Sequence, residues 1–565
     1  MSKRILIVGG VAGGASVAAR ARRVDEQAEI IMFEKGPYVS FSNCALPYYL
    51  SGTVKKAEHL VLMSPERFHK QYNIEARINS EVIKIDRLKK TVTVRNNNTE
   101  EEYEEYYDTL VLSPGAKPIL PGKLKGIDLP NVFTVRNVSD IVKIKAYIDT
   151  NGVDDIAVVG GGFIGVEVAE NLRNAGKNVA LIEAANQIMS PFDYDMVQIL
   201  HKEMVDHGIN LIVEDGIERI TDDFVILMSG RKITAKAVVM AVGVIPETEL
   251  AKEAGLEIGV SGGIKVNHNY QTSDANIYSV GDAIEVYNRL THKPTRLPLA
   301  GPAQMQARAA ADSMYGMYTS NRGVIGSSAV RIFGLNAAST GLSEKAAKAA
   351  EISYDSVYII PMDKVGLMPD SAPMHFKLIY EYPSGRILGA QAIGTGNVDK
   401  RIDVIATLIC MGGTLEDLKG LELCYSPLFS TAKDAVNHAA LVGLNVLHGK
   451  VKQIPVSRVR ELVEKKAFIV DVRERNEYEY GHLHGAVSIP LSELRQRVNE
   501  IPKDIPVYLH CRSSQRSYNA CMALQNMDYK NVINISGSFL GICLYEYYND
   551  VVTGREKIVT NYNFA

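Results

Sequence analysis

Short runs of β-branched and aliphatic residues alternate along the chain with glycine-rich turns and amphipathic stretches, the pattern of strands that feed helices in parallel sheets. One such unit is predicted twice. In the first copy Ile5–Val8 enters Gly9-Gly10-Val11-Ala12-Gly13-Gly14, a helix to about Val24, and a strand Ile30–Phe33 that ends at Glu34. In the second, Ile156–Val159 enters Gly160-Gly161-Gly162-Phe163-Ile164-Gly165, a helix to about Ala175, and a strand Val179–Ile182 that ends at Glu183. Two further apolar runs, Leu110–Leu112 and Val238–Val242, lead into tight turns at Gly115 and Gly243 and would close the two units. Between the copies, Arg77–Arg95 alternates like a hairpin, and the acidic run Glu100–Glu105 reads as a solvated turn. Residues 326–448 mix strands such as Phe376–Tyr380 with helices such as Arg401–Met411 and carry no glycine turn, which suggests an interface domain. Leu447–Pro455 reads as a linker, after which strand, helix and turn signals begin afresh.

Composition narrows the class. With 62 basic and 65 acidic residues among 565 the net charge is −3, which gives no nucleic-acid signature, and 46% hydrophobic with 22% charged residues is that of a soluble globular chain rather than a fibre or a disordered one. No run reaches the roughly 18 apolar residues that would cross a bilayer, and no signal-like segment opens the chain, so a cytoplasmic protein without membrane contact is expected. Six scattered cysteines are too few for a disulfide framework and suit a reducing compartment. Cys410, Cys424, Cys521 and Cys543 are expected in core packing, and His482 and His484 as structural rather than metal-binding residues, with no metal site expected anywhere.

The glycine turns carry the first chemistry. Glycine lets backbone approach a pyrophosphate, the helix N-terminus offers unpaired N–H groups, and an acid at the next strand end can hold a ribose. Gly14 precedes Glu34 by 20 residues and Gly165 precedes Glu183 by 18, both near the separation such sites need. Val11 stands where the middle glycine is usual. Farther on, Thr272–Asp282 places an acid after a strand and Gly281, and this resembles the second flavin-binding motif of flavoproteins with two dinucleotide-binding domains. That resemblance implies FAD at the first turn, with Asp282 on the ribityl chain, and a nicotinamide cofactor at the second. Glu183 favours NADH over NADPH because it would repel a 2′-phosphate, with NADPH left open.

Cys44 lies in Tyr38–Tyr48, soon after Glu34, and no second cysteine follows in its domain. A lone thiol can be oxidised only to a sulfenic acid or to a mixed disulfide with an outside thiol. The segment Ser40–Pro47, with both glycine turns, resembles the coenzyme A-disulfide reductase branch of the single-cysteine pyridine nucleotide-disulfide oxidoreductases over residues 1–448. The resemblance implies a mixed disulfide between Cys44 and coenzyme A, reduced by NADH through FAD, in a homodimer. It implies cofactor contacts at Gly9, Val11, Ala12, Gly14, Glu34, Lys35, Asn43, Val82, Ser113, Gly115, Arg136, Gly281, Asp282, Pro298, Leu299 and Ala300 for the flavin, and at Gly162, Phe163, Ile164, Gly165, Glu183 and Gly243 for the nicotinamide nucleotide. Phe163 would stand over the flavin as a gate. Arg20, Arg23, Ser40 and Asn43 would face coenzyme A, and Lys433 and Asn437 match a Lys-Asp-x-x-Asn motif contributed across the dimer. Two positions depart from the family: Leu367-Met368-Pro369 and Phe429 stand where tyrosines are usual, with Tyr425 four residues before the second. Another proton donor or water must then serve a leaving thiolate.

The segments Ile469–Arg473, Gly481–Ala486 and Val507–Ser517 resemble the rhodanese family over about residues 456–550. Cys511 ends a strand and opens a loop to Arg516 at a helix start, so backbone N–H groups, Arg512, Ser513 and Arg516 would surround the sulfur and stabilise a persulfide. The chain is thus expected to be α/β throughout. An FAD domain would comprise 1–112 and 244–325, and an NAD domain 113–243. An α+β dimerisation domain 326–448 and a linker 449–455 would lead to a rhodanese domain 456–550 and a tail 551–565. The expected function is NADH- and FAD-dependent reduction of coenzyme A persulfide, disulfide or polysulfide at Cys44, with sulfane sulfur handled at Cys511. An NADH oxidase or peroxidase cycling Cys44 through sulfenic acid, and a redox-responsive sulfur carrier, are the alternatives.

Overall fold

The computed structural model describes residues 3–319 and 321–564. The chain divides into two compact units, Met1–Asn186 with Ile212–Val324 and Gln187–Leu211 with Ile325–Ala565.

The first unit holds both glycine turns. Its five-stranded parallel sheet runs in the order Ile277–Ser279, Thr109–Leu112, Arg4–Val8, Glu29–Phe33, Glu75–Arg77, with Leu110–Leu112, Ile5–Val8 and Ile30–Phe33 of the inner strands buried and apolar as a sheet covered on both faces requires. Val8 is in register with Leu112 and Phe33, so the three strands end together and deliver Gly9, Ser113 and Glu34 to one edge, where the strand order reverses. A second parallel sheet repeats the plan with Asn178–Ile182, Asp155–Val159, Ala237–Met240 and Val132–Thr134 in that order, Val159 being level with Ile182 and Met240. An antiparallel ribbon of Ala116–Pro118 and Val244–Pro246 joins the halves.

The glycines are fixed by contact. Gly9 (φ +94°) and Gly160 (φ +110°) lie in the left-handed region, and a Cβ on either would stand 2.2 or 2.3 Å from the carbonyl oxygen of Ser113 or Ala241. A Cβ on Gly14 or Gly165 would stand 1.9 Å from the oxygen of Gly9 or Gly160. The middle positions are different: Val11 (φ −103°) and Gly162 (φ −76°) both have negative φ, so neither needs the left-handed backbone that favours glycine, and valine stands in the first copy.

The acidic run differs from the expectation. Glu102–Tyr106 is the third strand of an antiparallel sheet with Ser80–Asp86 and Thr91–Asn96, Tyr103 packing inward and Glu105 bonding Arg4 and Arg77 at 2.6 Å each. Alternation with tyrosine and two cationic partners outweigh the local charge repulsion.

The second unit contains a five-stranded antiparallel sheet, Ser327–Ile332, Leu335–Gly341, Ile387–Gly394, His375–Glu381, Tyr354–Ile359, packed by helices Val398–Met411 and Ala435–Leu447. It also contains a parallel sheet in the order Gln453–Ile454, Val532–Ile535, Val507–His510, Phe468–Asp471, Val487–Ser488. Two residues of the expected linker, Gln453 and Ile454, are therefore an edge strand. The expected tail is also structural: helix Ser538–Thr553 runs past residue 550, and Ile558 and Val559 are buried in the core beneath it. Residues 187–211, sequence-assigned to the second nucleotide domain, cluster here instead, their helix Tyr194–Asp206 lying on Ser538–Thr553 with Tyr548 donating to the Leu211 carbonyl at 3.1 Å. Lys377 is buried among Asp193, Asp195 and Glu344 at 3.3, 2.8 and 3.0 Å.

No helix among the described residues is long and apolar enough to cross a membrane. Cys521 and Cys543 are core residues as expected; Cys410 is half-buried, and Cys424 is exposed, contrary to expectation, because its segment 421–429 runs as a surface loop after a short helix.

Candidate active sites

A cavity of about 420 Å³ opens at the ends of the first parallel sheet. Its lining includes Gly9, Val11, Ala12, Glu34, Lys35, Asn43, Val82, Ser113, Gly115, Arg136, Gly281 and Asp282, twelve of the residues expected around the first cofactor. Gly14 lies behind the lining, where its lack of a side chain lets the helix Ala12–Val24 close on Gly9. Pro298, Leu299 and Ala300 do not line the cavity. They lead into helix Ala300–Met314, which sends Ala303 to the wall, while its Gln306 accepts the Gly281 N–H at 2.8 Å.

The two strand-end acids share one geometry. Glu34 accepts the N–H groups of Gly10 and Gly36 at 2.9 and 3.0 Å, and Glu183 those of Gly161 and Ala185 at 2.7 and 2.8 Å. Each carboxylate is thereby aimed across its own glycine turn. Lys35 and Arg136, expected to meet the cofactor directly, both hold Glu247, at 3.0 and 2.7 Å. Burial alone would raise the Glu247 pKa, but the two cations outweigh it and hold it low. Glu247 carries no motif, so only the fold reveals it. Asp282 lines the cavity with its pKa raised by burial, a carboxylate that gains most from a hydroxyl donor. At the second turn, Gly162 and Ile164 are exposed and Phe163 half-exposed at the start of helix Phe163–Asn174, and a Cβ on Gly162 would meet nothing within 4 Å.

Cys44 sits on the single turn Asn43–Ala45, accessible to solvent and in no disulfide. The next helix, Pro47–Leu50, packs on Phe163–Asn174. That packing brings Glu167 to bear on the thiol. Partial burial raises the Cys44 pKa, and the carboxylates of Glu167 and Asp282 raise it further. Glu167 is itself pushed up to about 7, by burial and then by Glu170. Sequence reading missed Glu167, although it lies two residues beyond the second glycine turn.

A second cavity, of about 360 Å³, is lined by Arg20, Arg23 and Ser40 together with Gln304 and Arg308, against an apolar side of Met63, Phe68 and Tyr72. Arg20 bonds Asp312 at 2.5 Å and Arg23 stands over Tyr72, so the expected cations do converge, and Arg308 adds a third that the sequence reading missed. The Lys-Asp-x-x-Asn segment behaves otherwise. Asp434 pairs with buried Arg401 at 2.9 Å and caps helix Ala435–Leu447. Asn437 is buried and its amide donates to the carbonyls of Leu418 and Leu421 at 3.1 Å, so its expected place facing a ligand is corrected to a brace for that helix. Lys433 is exposed, as are Leu367, Tyr425 and Phe429.

In the C-terminal module, Cys511 follows strand Val507–His510 and is buried against two serines, Ser517 and Ser538. Its N–H donates to Ser538 Oγ at 3.2 Å, and its sulfur lies 3.6 Å from Ser517 Oγ and 3.9 Å from Ser538 Oγ. Ser514, left-handed at φ +76°, begins helix Gln515–Gln525, while Arg512 and Ser513 are half-exposed. Arg516 does not serve the sulfur alone as expected: it holds Glu477 through two bonds of 2.6 and 2.7 Å. Burial pushes Cys521 up to about 12 and Cys543 up to about 11, which keeps both as inert thiols.

The sequence matches the pyridine nucleotide-disulphide oxidoreductase family over residues 3–307, the dimerisation domain of that family over 327–436 and the rhodanese-like domain over 456–544. The reduced CoADR-RHD protein of Bacillus anthracis is 44% identical, with a TM-score of 0.94 covering 97% of this chain and 99% of that one. A NAD-dependent persulfide reductase from A. fulgidus is 33% identical, with a TM-score of 0.91 covering 95% and 99%. The coenzyme A disulfide reductase of Staphylococcus epidermidis is 34% identical over 435 residues, 77% of this chain and 98% of the relative. With its paired glycine turns and an accessible thiol at Cys44, the chain belongs to the pyridine nucleotide-disulphide oxidoreductases, in the coenzyme A-disulfide and persulfide reductase branch that carries a C-terminal rhodanese domain.

Proposed function

We propose that this enzyme uses NADH to reduce coenzyme A persulfide or disulfide through a mixed disulfide at Cys44, and that Cys511 carries sulfane sulfur in the same chain. The observation that supports this most is an accessible thiol that forms no disulfide, so its oxidised partner comes from outside. The first cavity fits FAD: its glycine turn and helix start suit a pyrophosphate, Glu34 suits a ribose, and Asp282 suits a ribityl hydroxyl. Bound there, FAD would supply the electron relay between NADH and Cys44. Gly162, Gly165 and Glu183 would hold the NADH, with Phe163 beside its nicotinamide. Glu183 disfavours the 2′-phosphate of NADPH.

The chain's own residues would do the rest. Arg20, Arg23 and Arg308 offer guanidiniums to the phosphates of coenzyme A, and the apolar side of the same cavity accepts its pantetheine arm. That arm then reaches Cys44 and could carry sulfur from Cys511. A homodimer suits the dimerisation-domain match, with Lys433, Leu367 and Phe429 on the exposed face such a partner would cover. Cysteines that form no disulfide among the described residues suit the cytoplasm.

The test is anaerobic NADH oxidation with coenzyme A persulfide. The reading requires catalytic turnover, lost in Cys44→Ser. No acceleration over buffer, retention of activity in Cys44→Ser, or faster turnover with oxygen or peroxide would overturn it, the last in favour of an oxidase or peroxidase.

A further inference from the structure

The loop that follows Cys511 carries two arginines, Arg512 and Arg516, and the charge of both is opposed by one carboxylate, Glu477. Arg516 is clamped by Glu477 in a fork of two short bonds, 2.6 and 2.7 Å, the geometry in which a guanidinium gives up most of its capacity for another carboxylate, sulfonate or phosphate. Glu477 belongs to helix Arg475–Tyr480, whose first turn it also closes by accepting the Glu474 N–H at 3.1 Å, so it is held in place from its own side. Its field reaches Arg512 as well as Arg516. The buried pair beneath, Arg473 and Asp471 at 2.6 Å, adds no net charge. What faces the sulfur directly is neutral: the hydroxyls of Ser517 and Ser538.

We propose that Glu477 is a specificity-determining residue that turns the Cys511 site away from dianionic sulfur donors such as thiosulfate and toward persulfides of small thiols. This rests on the reading of Cys511 as a sulfur carrier. The two donors differ in the charge they bring. With a persulfide, R–S–S⁻ and Cys511–SH give Cys511–S–S⁻ and RSH: the S–S bond of the donor breaks, the new S–S bond forms on Cys511, the thiol proton moves to the departing RS group, and one negative charge is present throughout. With thiosulfate, S₂O₃²⁻ and Cys511–SH give Cys511–S–S⁻ and HSO₃⁻: the donor S–S bond breaks, the thiol proton leaves with the sulfite, and two negative charges are present in the loop throughout. A loop whose guanidinium charge is unopposed favours the second reaction; one in which Glu477 holds Arg516 and opposes the charge of Arg512 favours the first.

The experiment loads full-length holoenzyme, without NADH, with either thiosulfate or a small alkyl persulfide and follows the 32 Da increase on the Cys511 peptide by mass spectrometry. Wild type should load from the persulfide and poorly from thiosulfate. Glu477→Gln should raise the thiosulfate rate by roughly tenfold, the size of one charge-assisted hydrogen bond from the released guanidinium, and leave the persulfide rate within about twofold. Glu477→Asp, which keeps the charge, should keep the wild-type preference. Arg516→Met, which leaves Glu477 without its cation, should lower the thiosulfate-to-persulfide ratio below that of wild type, and it carries the test if Glu477→Gln does not fold. An unchanged ratio in the Glu477→Gln and Arg516→Met proteins overturns the proposal. Failure of wild-type Cys511 to load from either donor would instead overturn the reading of Cys511 itself.

Discussion

The sharpest prediction separates two glycines in one turn. A methyl group on Gly165 would lie 1.9 Å from the carbonyl oxygen of Gly160, about 1.5 Å short of an ordinary contact. Relief requires the helix Phe163–Asn174 to lift off the strand before it, and overpacking of that kind costs about 1–3 kcal/mol or more. A methyl group on Gly162 meets no protein atom within 4 Å, and φ of −76° accommodates alanine without strain. Its cost to the fold is confined to the weaker helix-start preference of alanine, about 1 kcal/mol. The same methyl occupies the space where a pyrophosphate must approach the backbone. Gly162→Ala should therefore melt within a few degrees of wild type, at roughly 2–4 °C per kcal/mol, while Gly165→Ala melts well below. NADH affinity should fall by about tenfold or more in Gly162→Ala, equivalent to about 1.4 kcal/mol. Scanning calorimetry and NADH fluorescence titration measure the two quantities. Equal destabilisation by both substitutions, or unaltered NADH binding in Gly162→Ala, would refute the reasoning. Val11, already bearing a side chain at the matching position of the first turn, supplies the control: Val11→Ala should change little.

Three further outcomes are expected. Glu167 raises the Cys44 pKa, so Glu167→Gln should shift the pH profile of Cys44 alkylation to lower pH, and the inflection near pH 7 that Glu167 contributes should vanish, with exposed Cys424 as internal reference in the same mass-spectrometric digest. His201 and His375 are buried with pKa values pushed down to about 3 by desolvation, against 6.5 for the ordinary side chain. The unfolded chain binds those protons first, so stability present above pH 6.5 is lost as pH falls toward about 3, and replacing either histidine by leucine should flatten the slope of urea-unfolding free energy against pH. Lys377→Met strands Asp193, Asp195 and Glu344 around an apolar side chain and should cost about 3–5 kcal/mol, read as the melting transition of the unit that contains residues 325–564; a loss below about 1 kcal/mol would show the lysine is dispensable.

Much of this architecture is legible in the sequence because it is enforced by backbone geometry. The positive φ of Gly9 and Gly160 and the carbonyl contacts of Gly14 and Gly165 leave glycine as the residue that fits, and the buried inner strands read as apolar runs such as Ile5–Val8 and Ile30–Phe33. The rest depends on partners distant in the chain. Glu102–Tyr106 looks like a solvated run until Arg4 and Arg77 arrive beside it. Asn437 matches a motif that faces a ligand, yet here its amide meets two carbonyls some sixteen to nineteen residues back. Glu167 and Glu477 carry no motif of their own in this reading. What distinguishes them is the company they keep, a desolvated thiol for one and a forked guanidinium for the other. The strand Gln453–Ile454 is two residues long, too short for any periodicity to announce it.

That short strand has a practical bearing on how the sulfur-carrying module can be excised. A fragment begun at Val456, where the rhodanese-like match starts, would lack the residues whose carbonyls receive Asn534 and Ser536, at 2.9 Å each from Lys452 and Ile454. It would bare one side of Val532–Ile535 as an open template for aggregation. Ending the fragment at 550 would uncover the apolar floor sealed by Ile558 and Val559. The smallest piece with closed borders runs from about Lys452 to Phe564, and even that piece gives up Tyr358, whose carbonyl receives the Ser536 hydroxyl at 3.0 Å two residues from Ser538.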